Sequence, residues 1–298
     1  MKRGIHKTIG GDWVFSLCCT IILGLITLTV LYPLIYIVSA SFSSSLAVMQ
    51  GRVWLWPVEP TLDGYTAVFR SSQVPRGFMN SIYVMCVGTA VNVILTIALA
   101  YPLSRKDLYG RNVFMALITF TMLFSGGLIP SFLLVRSLGL FNTHWAIILP
   151  GAVGVFNVIV ARTFFRSNIP NDLHEAAVID GCSDFRFLFK VVVPLSAPII
   201  AVLTMFYAVG HWNSFFNAMI YLRDPELKTL QLVLRDILIM NEMADDMLGD
   251  TSALIRQQGL SQLLKYSLMV IASLPMLILY PFIQRHFVKG IMVGAIKG

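Results

Sequence analysis

The chain has 298 residues, of which 57% are hydrophobic and only 12% charged, with a formal net charge of +7 and a mean hydropathy of +0.77. Soluble domains carry about a quarter charged residues, so this composition excludes an ordinary soluble domain and points to a protein of the bilayer. In a bilayer protein an excess of Lys and Arg belongs to cytoplasmic loops, so the charge implies no nucleic-acid partner.

A hydrocarbon core about 30 Å thick is crossed by about 20 helical residues. Runs rich in Leu, Ile, Val and Phe therefore predict an all-α membrane protein with six transmembrane helices, over residues 14–40, 79–103, 113–135, 145–165, 198–222 and 263–283. The first run follows Lys2, Arg3 and Lys7, as the core of a signal peptide would, but it is too long and ends without an A-x-A site. It is expected to stay as an uncleaved helix. Cys18 and Cys19 lie in the first run, Cys86 in the second and Cys182 between the fourth and fifth, a spacing that implies neither a disulfide framework nor a metal site. Helix-disturbing residues break several spans, in SGGLIP at 125–130, in LPGAVG at 149–154, and at Pro275 and Pro281. Packing kinks and moving gates both fit such breaks.

Lys and Arg near span ends set the orientation. Lys2, Arg3 and Lys7 flank the start, and Arg105, Lys106 and Arg111 crowd the second connection. Arg162, Arg166, Arg186 and Lys190 mark the fourth, and Arg285, Lys289 and Lys297 follow the last span. These alternate segments share one side, which places both termini and the fourth connection in the cytoplasm. The opposite side receives a long first connection, a short third with Arg136, and an acidic fifth carrying Asp224, Glu226, Asp236, Glu242, Asp245, Asp246 and Asp250. Within that fifth connection, LQLVLRDILIM has the pattern of an amphipathic helix that could lie over the spans as a lid.

The fourth connection, EAAVIDGCSDFRFLFKVVVP at 175–194, mixes charge with Ala, Phe and Val. Pro170 suits a first helical position, and Asp172 and Glu175 suit the early turns of a short helix running to Asp180. Gly181 can take the left-handed conformation that ends it, Ser183 can cap a second helix, and Pro194 is expected to stop that one. Ala176 and Ala177 allow a close approach, while Leu173, Ile179, Phe185, Leu188 and Phe189 supply more apolar area than a solvated loop carries. Docking into a partner and lying flat on the membrane surface both fit this pattern.

Glu175, Ala176 and Ala177, then Gly181 after three intervening residues, then Val191, Val192, Val193 and Pro194 after nine more, resemble the EAA loop of ABC importer permeases, with Val where that pattern usually has Ile and Leu. The resemblance runs from the second span to the end, over a permease core of about residues 75–290 in what is expected to be one transmembrane domain spanning 1–298. It is nearest the carbohydrate-uptake group with maltose-type small permease subunits, towards the complex-oligosaccharide and alginate-type branch, on SGGLIPSFLLVRSLGL, AVGHWNSFFNAMIYL and LQLVLRDIL. It implies that residues 168–197 form a cytoplasmic coupling loop seated in a cytosolic ABC ATPase dimer. Glu175 would meet the ATPase surface, Ala176 and Ala177 would permit seating, Gly181 would set the turn, and Asp180 fits the carbohydrate branch. The ending FVKGIMVGAIKG is similar to tails that reach the ATPase dimer interface, which would give Gly294, Lys297 and Gly298 that role; a loose Gly-rich terminus is the alternative.

No G-x-x-x-x-G-K-[ST] motif is present, so ATP and Mg2+ are expected to be used by a separate subunit and this chain to be non-catalytic, with no cofactor or metal of its own. The halves show no convincing repeat, and the resemblance implies a second permease subunit and an extracytoplasmic sugar-binding protein beside the membrane lipids. That binding protein would face the fifth connection and the loop 41–78. In the fifth span Tyr207 and His211, and Asn213 and Asn217, are each four residues apart and expected on one helix face. With Trp212, and with Asn157 in the fourth span, they offer amides and aromatic rings suited to an oligosaccharide path, or else to interhelical bonding. His211 as a proton relay lacks an acidic partner in the membrane. The rival classes are a non-conducting membrane scaffold that recruits a cytosolic partner, and an importer of a non-sugar solute.

Overall fold

The computed structural model describes residues 11–245 and 251–295, and all regular elements among them are helices. The first expected span is α1 (Gly11–Ser41), which continues through Pro33. Two short helices, α2 (Ser45–Met49) and α3 (Asp63–Arg70), occupy the long first connection. The second span, α4 (Gln73–Ser104), starts six residues earlier than the apolar run suggested.

Of the next three runs, the third and fourth are interrupted at SGGLIP and LPGAVG, as expected, and the fifth is interrupted where a continuous helix was expected. The third is α5 (Arg111–Leu123) and α6 (Leu128–Ser137), which meet at 112° across FSGG. Gly127 there has φ +86°, a conformation that residues with a Cβ rarely adopt. The fourth run divides into α7 (Trp145–Ile148) and α8 (Val155–Asn168), separated by Pro150, Gly151 and Gly154. Neither piece has the roughly 20 residues that cross a bilayer unaided.

The connecting stretch holds α9 (Asn171–Ile179), α10 (Asp184–Phe187), a π-helical turn at Leu188–Val192 and α11 (Val193–Leu195). The fifth run then follows as α12 (Ala197–Trp212) and α13 (Phe215–Tyr221). The break between them comes from polar side chains that take up helical carbonyls: Asn213 Nδ2 donates to Val209 O at 3.0 Å and Ser214 Oγ to His211 O at 2.9 Å. Asn213 and Asn217 therefore stand on either side of a break rather than on one continuous helix face. The amphipathic segment forms α14 (Leu230–Asp245), as expected. In contrast to the expected interruptions, Pro275 and Pro281 lie inside one helix, α15 (Thr251–Ala295).

Among the described residues three single helices are long and apolar enough to cross a membrane, Trp13–Ser41, Gln73–Ser104 and Gly259–Pro281. Counting the bent pairs Arg111–Leu123 with Leu128–Ser137, and Asp184–Leu195 with Ala197–Trp212, brings the number to five.

The chain divides into two compact units, one of residues up to Arg70 with Ile237–Ile271, the other of Ser71–Asp236 with residues from Ala272 onward. In the first unit, Ala40, Ala47, Val48, Val53 and Leu263 form a small core with Tyr36 edge-on to Tyr266. From Trp13 to Leu34 no residue of α1 is buried within this chain, and a helix apolar on all sides needs lipid or another protein around it.

In the second unit α4 packs against α8 and α12. Val93, Ala100, Tyr101, Val158, Ala161, Phe165, Ile199, Leu203 and Tyr207 interlock there, with Phe187 and Val192 from the connecting stretch added at one end. Small and polar residues of α4 (Ser81, Gly88, Thr89, Asn92, Thr96 and Ala100) are all buried. Lipid is as apolar as Leu, so close backbone approach and interhelical hydrogen bonds are what hold helices together in a bilayer, and this face supplies both.

Candidate functional site

The connecting stretch is a helix, glycine, helix unit. Pro170 is the N-cap of α9 rather than its first helical residue, with φ −61° and ψ 143°. At the other end Cys182 N donates to Ala177 O at 2.8 Å and Gly181 N to Val178 O at 3.0 Å, the paired bonds of a Schellman cap. Gly181 stands at φ +72°, where a Cβ would be strained. Ser183 caps α10 by accepting from Arg186 N, as its position predicted.

Pro194 does not stop the second helix, which runs on through α11 to Leu195. A proline ring clashes with the carbonyl four residues back. Here the wide turn at Leu188–Val192, closed by Val193 N on Leu188 O, precedes the ring and lets the chain continue. The actual stop is Ser196, after which the chain bends by 82° into α12.

Among its charged residues this unit exposes large apolar side chains: Ile179 is 86% exposed, Phe185 78% and Phe189 66%. Glu175, Ala176, Asp180, Gly181 and Pro194 are exposed and Ala177 is half-buried. Phe187 and Val192 turn inward to the α4 and α8 core. Arg105, the residue capping the end of α4, donates from Nε and Nη2 to the two oxygens of Asp107 at 3.0 and 3.2 Å. Those bonds hold the Asp107 carboxyl below the usual carboxylate range. The same Nη2 lies 2.7 Å from His174 Nδ1, and His174 Nε2 lies 3.0 Å from Asp184 Oδ1.

Deeper in the unit, α4 and α12 share an antiparallel polar seam. Thr96 Oγ1 and Tyr207 Oη are 2.6 Å apart, and Tyr207 Oη also accepts from Gly154 N at 3.0 Å. One turn away Asn92 Nδ2 lies 2.9 Å from His211 Nε2. Trp212 is 2% exposed and donates from Nε1 to Ala272 O at 3.0 Å. With Asn213, whose amide bonds Val209 O, four of the predicted path residues are thus already bonded within the chain. Asn157 is half-buried; a methyl added at Gly154 would touch its amide at 3.2 Å and the Tyr207 hydroxyl at 3.4 Å. Asn213 and Asn217 are exposed. At the carboxyl end Gly294 falls in the last turn of α15, whereas Lys297 and Gly298 lie outside the described residues.

Sequence reasoning missed the partners of this seam, Gly88, Asn92, Thr96 and Gly154. A signal was present: Gly88, Asn92 and Thr96 recur every four residues in an apolar run, which aligns them on one helix face. His174 was also missed, because its role depends on residues 69 positions earlier and 10 later.

The sequence model described as "Binding-protein-dependent transport system inner membrane component" matches residues 11–293, so the match includes the first helix as well as the expected core. Protein LplC of Bacillus subtilis (strain 168) is 41% identical over 99% of this chain and 98% of its own length. The polygalacturonan/rhamnogalacturonan transport system permease protein YtcP of the same organism is 43% identical over 89% of this chain and 92% of its own. Among solved structures, a chain from a crystal structure of a bacterial ABC transporter involved in the import of the acidic polysaccharide alginate superposes with a TM-score of 0.86 at 34% identity, covering 95% of this chain and 100% of that one. The helix, glycine, helix unit, the all-helical membrane architecture and these matches together place the chain in the family of binding-protein-dependent transport system inner-membrane components, as a permease subunit of an ABC importer.

Proposed function

We propose that this permease conducts an oligosaccharide or a fragment of an acidic polysaccharide, in a pore shared with a second permease subunit. The names of the pectin-type and alginate-type relatives support that substrate class. Six spans, with both termini in the cytoplasm, bring the broken third, fourth and fifth runs into the count and leave residues 168–197 on the ATP side. There a cytosolic ABC ATPase dimer, which uses ATP and Mg2+, receives α9 and α10, while an extracytoplasmic sugar-binding protein delivers the substrate from the opposite face. The tail from Gly294 through Lys297 and Gly298 reaches the same ATPase dimer.

The observation that carries this reading is the exposure of Ile179, Phe185 and Phe189 around the left-handed Gly181, an apolar knob too large to be left in water. Glu175, Ala176, Ala177, Asp180 and Gly181 form its contact surface, and Pro194 lies where the second arm continues towards α12. When ATP closes the ATPase dimer, the knob moves with it and the spans rock to open the pore outward; hydrolysis resets them. In the path, Asn213 and Asn217 offer exposed amides to sugar hydroxyls, with Asn157, Tyr207, His211 and Trp212 lining or bracing it.

The test is the complex purified in lipid with its ATPase and binding protein, assayed for ATP hydrolysis with the binding protein loaded from a panel of oligosaccharides. One loaded form should stimulate hydrolysis, and Gly181→Pro, which cannot take φ +72°, should abolish the stimulation while leaving insertion intact. An ATPase that ignores every sugar would overturn the substrate class, and normal uptake in Gly181→Pro would overturn the coupling role.

A further inference from the structure

We propose that His174 and Arg105 are positioning residues that form the joint between the ATPase-facing helix pair and α4, an inference that rests on the coupling role given to α9 and α10. Arginine has donors and no acceptor, so the 2.7 Å approach of Arg105 Nη2 makes His174 Nδ1 the acceptor. The ring proton is then on Nε2, which donates to Asp184 Oδ1 at 3.0 Å. One imidazole from α9 therefore holds the end of α4 on one side and the first residue of α10 on the other. Arg105 is itself locked by its two bonds to Asp107.

Three further observations make this a rigid joint rather than a surface contact. The side chains of Arg105 and His174 are only 17% and 15% exposed. The imidazole stands edge-on to Phe187 at 5.1 Å, and Phe187 is 1% exposed in the core against α4 and α8. Finally, α9 has no fully buried residue and among its apolar side chains only Ala177 packs in part against the core, so the bonds of His174 add an attachment that apolar packing supplies only weakly.

Beyond Arg105 the end of α4 is tied to its neighbours as well: Arg162 Nε of α8 donates to Leu103 O at 2.8 Å, and Arg111 Nη1 of α5 to Arg105 O at 3.0 Å. About 13 Å along the helix from Arg105, at about 1.5 Å per residue, α4 bears the Thr96 bond to Tyr207 of α12. A push on α9 thus enters α4 at a fixed point and reaches the helix that bears Tyr207 and His211.

The reconstituted complex decides this by the amount of substrate imported per ATP hydrolysed, measured on His174→Ala, His174→Gln and Gly181→Pro. Glutamine offers an acceptor and a donor about as far apart as the two ring nitrogens. His174→Ala should lower the import-to-ATP ratio by about tenfold in correctly assembled complex, and His174→Gln should restore most of it. If import and hydrolysis fall together in both variants, in step with the amount of assembled complex, His174 is only a structural anchor and the proposal is wrong. A wild-type ratio in His174→Ala together with an uncoupled Gly181→Pro overturns the joint and leaves the coupling role standing. A wild-type ratio in Gly181→Pro removes the coupling role and the joint with it. Should His174→Ala fail to assemble, His174→Glu, which keeps the Arg105 contact and repels Asp184, makes the same comparison: a lowered ratio supports the joint and an unchanged one overturns it.

Discussion

The hydroxyl of Tyr207 lies 2.6 Å from Thr96 Oγ1 and 3.0 Å from the backbone nitrogen of Gly154, so one side chain of α12 closes a three-way contact with α4 and with the start of α8. With Tyr207 7% exposed, both partners lose their bond if the hydroxyl is removed. Tyr207→Phe should therefore cost about 1–3 kcal/mol of stability, seen as a lower melting temperature of the complex in detergent. If Tyr207 only braces the helices, import per assembled complex stays at the wild-type level; a selective loss of import would assign the hydroxyl to the substrate path.

A methyl at Gly88 would lie 2.6 Å from His211 Nε2, whereas one at Gly210 meets nothing within 4 Å. Gly88→Ala should consequently displace the imidazole from Asn92 and destabilise by about 1–3 kcal/mol. Gly210→Ala, inside α12, should be neutral or stabilising by up to about 1 kcal/mol, since alanine has less backbone freedom to lose. Thermal unfolding of the two variants side by side checks the contrast.

Asn213 and Asn217 are exposed, and an indole in place of either amide can be accommodated without disturbing a core; Asn213→Trp gives up the bond to Val209 O, but Ser214 still holds the break through His211 O. Asn213→Trp and Asn217→Trp should assemble normally and lower import by at least about tenfold, equivalent to about 1.4 kcal/mol. Unchanged import in both would favour a non-conducting scaffold over a pore face at this position.

The Asp107 carboxyl is held below its ordinary range chiefly by its hydrogen bonds to Arg105. A depressed folded-state value means that the pair stabilises the fold above the unfolded carboxylate's titration and loses that contribution as pH falls through the lower value of the folded state. The pair is largely exposed on the Asp107 side, so the loss on acidification below about pH 4 should stay within about 1 kcal/mol. Asp107→Asn should reduce the acid-dependent component of melting curves recorded between neutral pH and pH 3 by the share of this pair, leaving that of Glu59, whose carboxyl is also held below its ordinary range by Ser44 and Arg52.

The helix, glycine, helix unit was legible because its signals are local. Gly181 at the left-handed position and Ser183 at the cap each act within three or four residues, and the structure keeps both. Hydropathy likewise located the apolar runs, since burial in lipid acts on composition alone. Continuity was legible only in part: the breaks at SGGLIP and LPGAVG were expected and are present, but Pro275 and Pro281 sit inside α15, while Asn213 and Ser214 break the fifth run. A proline is tolerated where neighbouring groups satisfy the freed carbonyl, and short polar side chains end a helix where they take up its carbonyls, so the outcome depends on surroundings that sequence does not list.

By itself, then, the sequence determined a multi-pass helical protein of the bilayer and the glycine-centred turn of its connecting stretch, because hydrophobicity and backbone conformation are properties of single residues and close neighbours. Only the tertiary structure decided that Tyr207, His211 and Trp212 are bonded to Thr96, Asn92 and Ala272, and that His174 bridges Arg105 and Asp184. Those bonds join residues that lie between 10 and 119 positions apart, and a hydrogen bond acts over about 3 Å, so the partners exist only once the helices have packed.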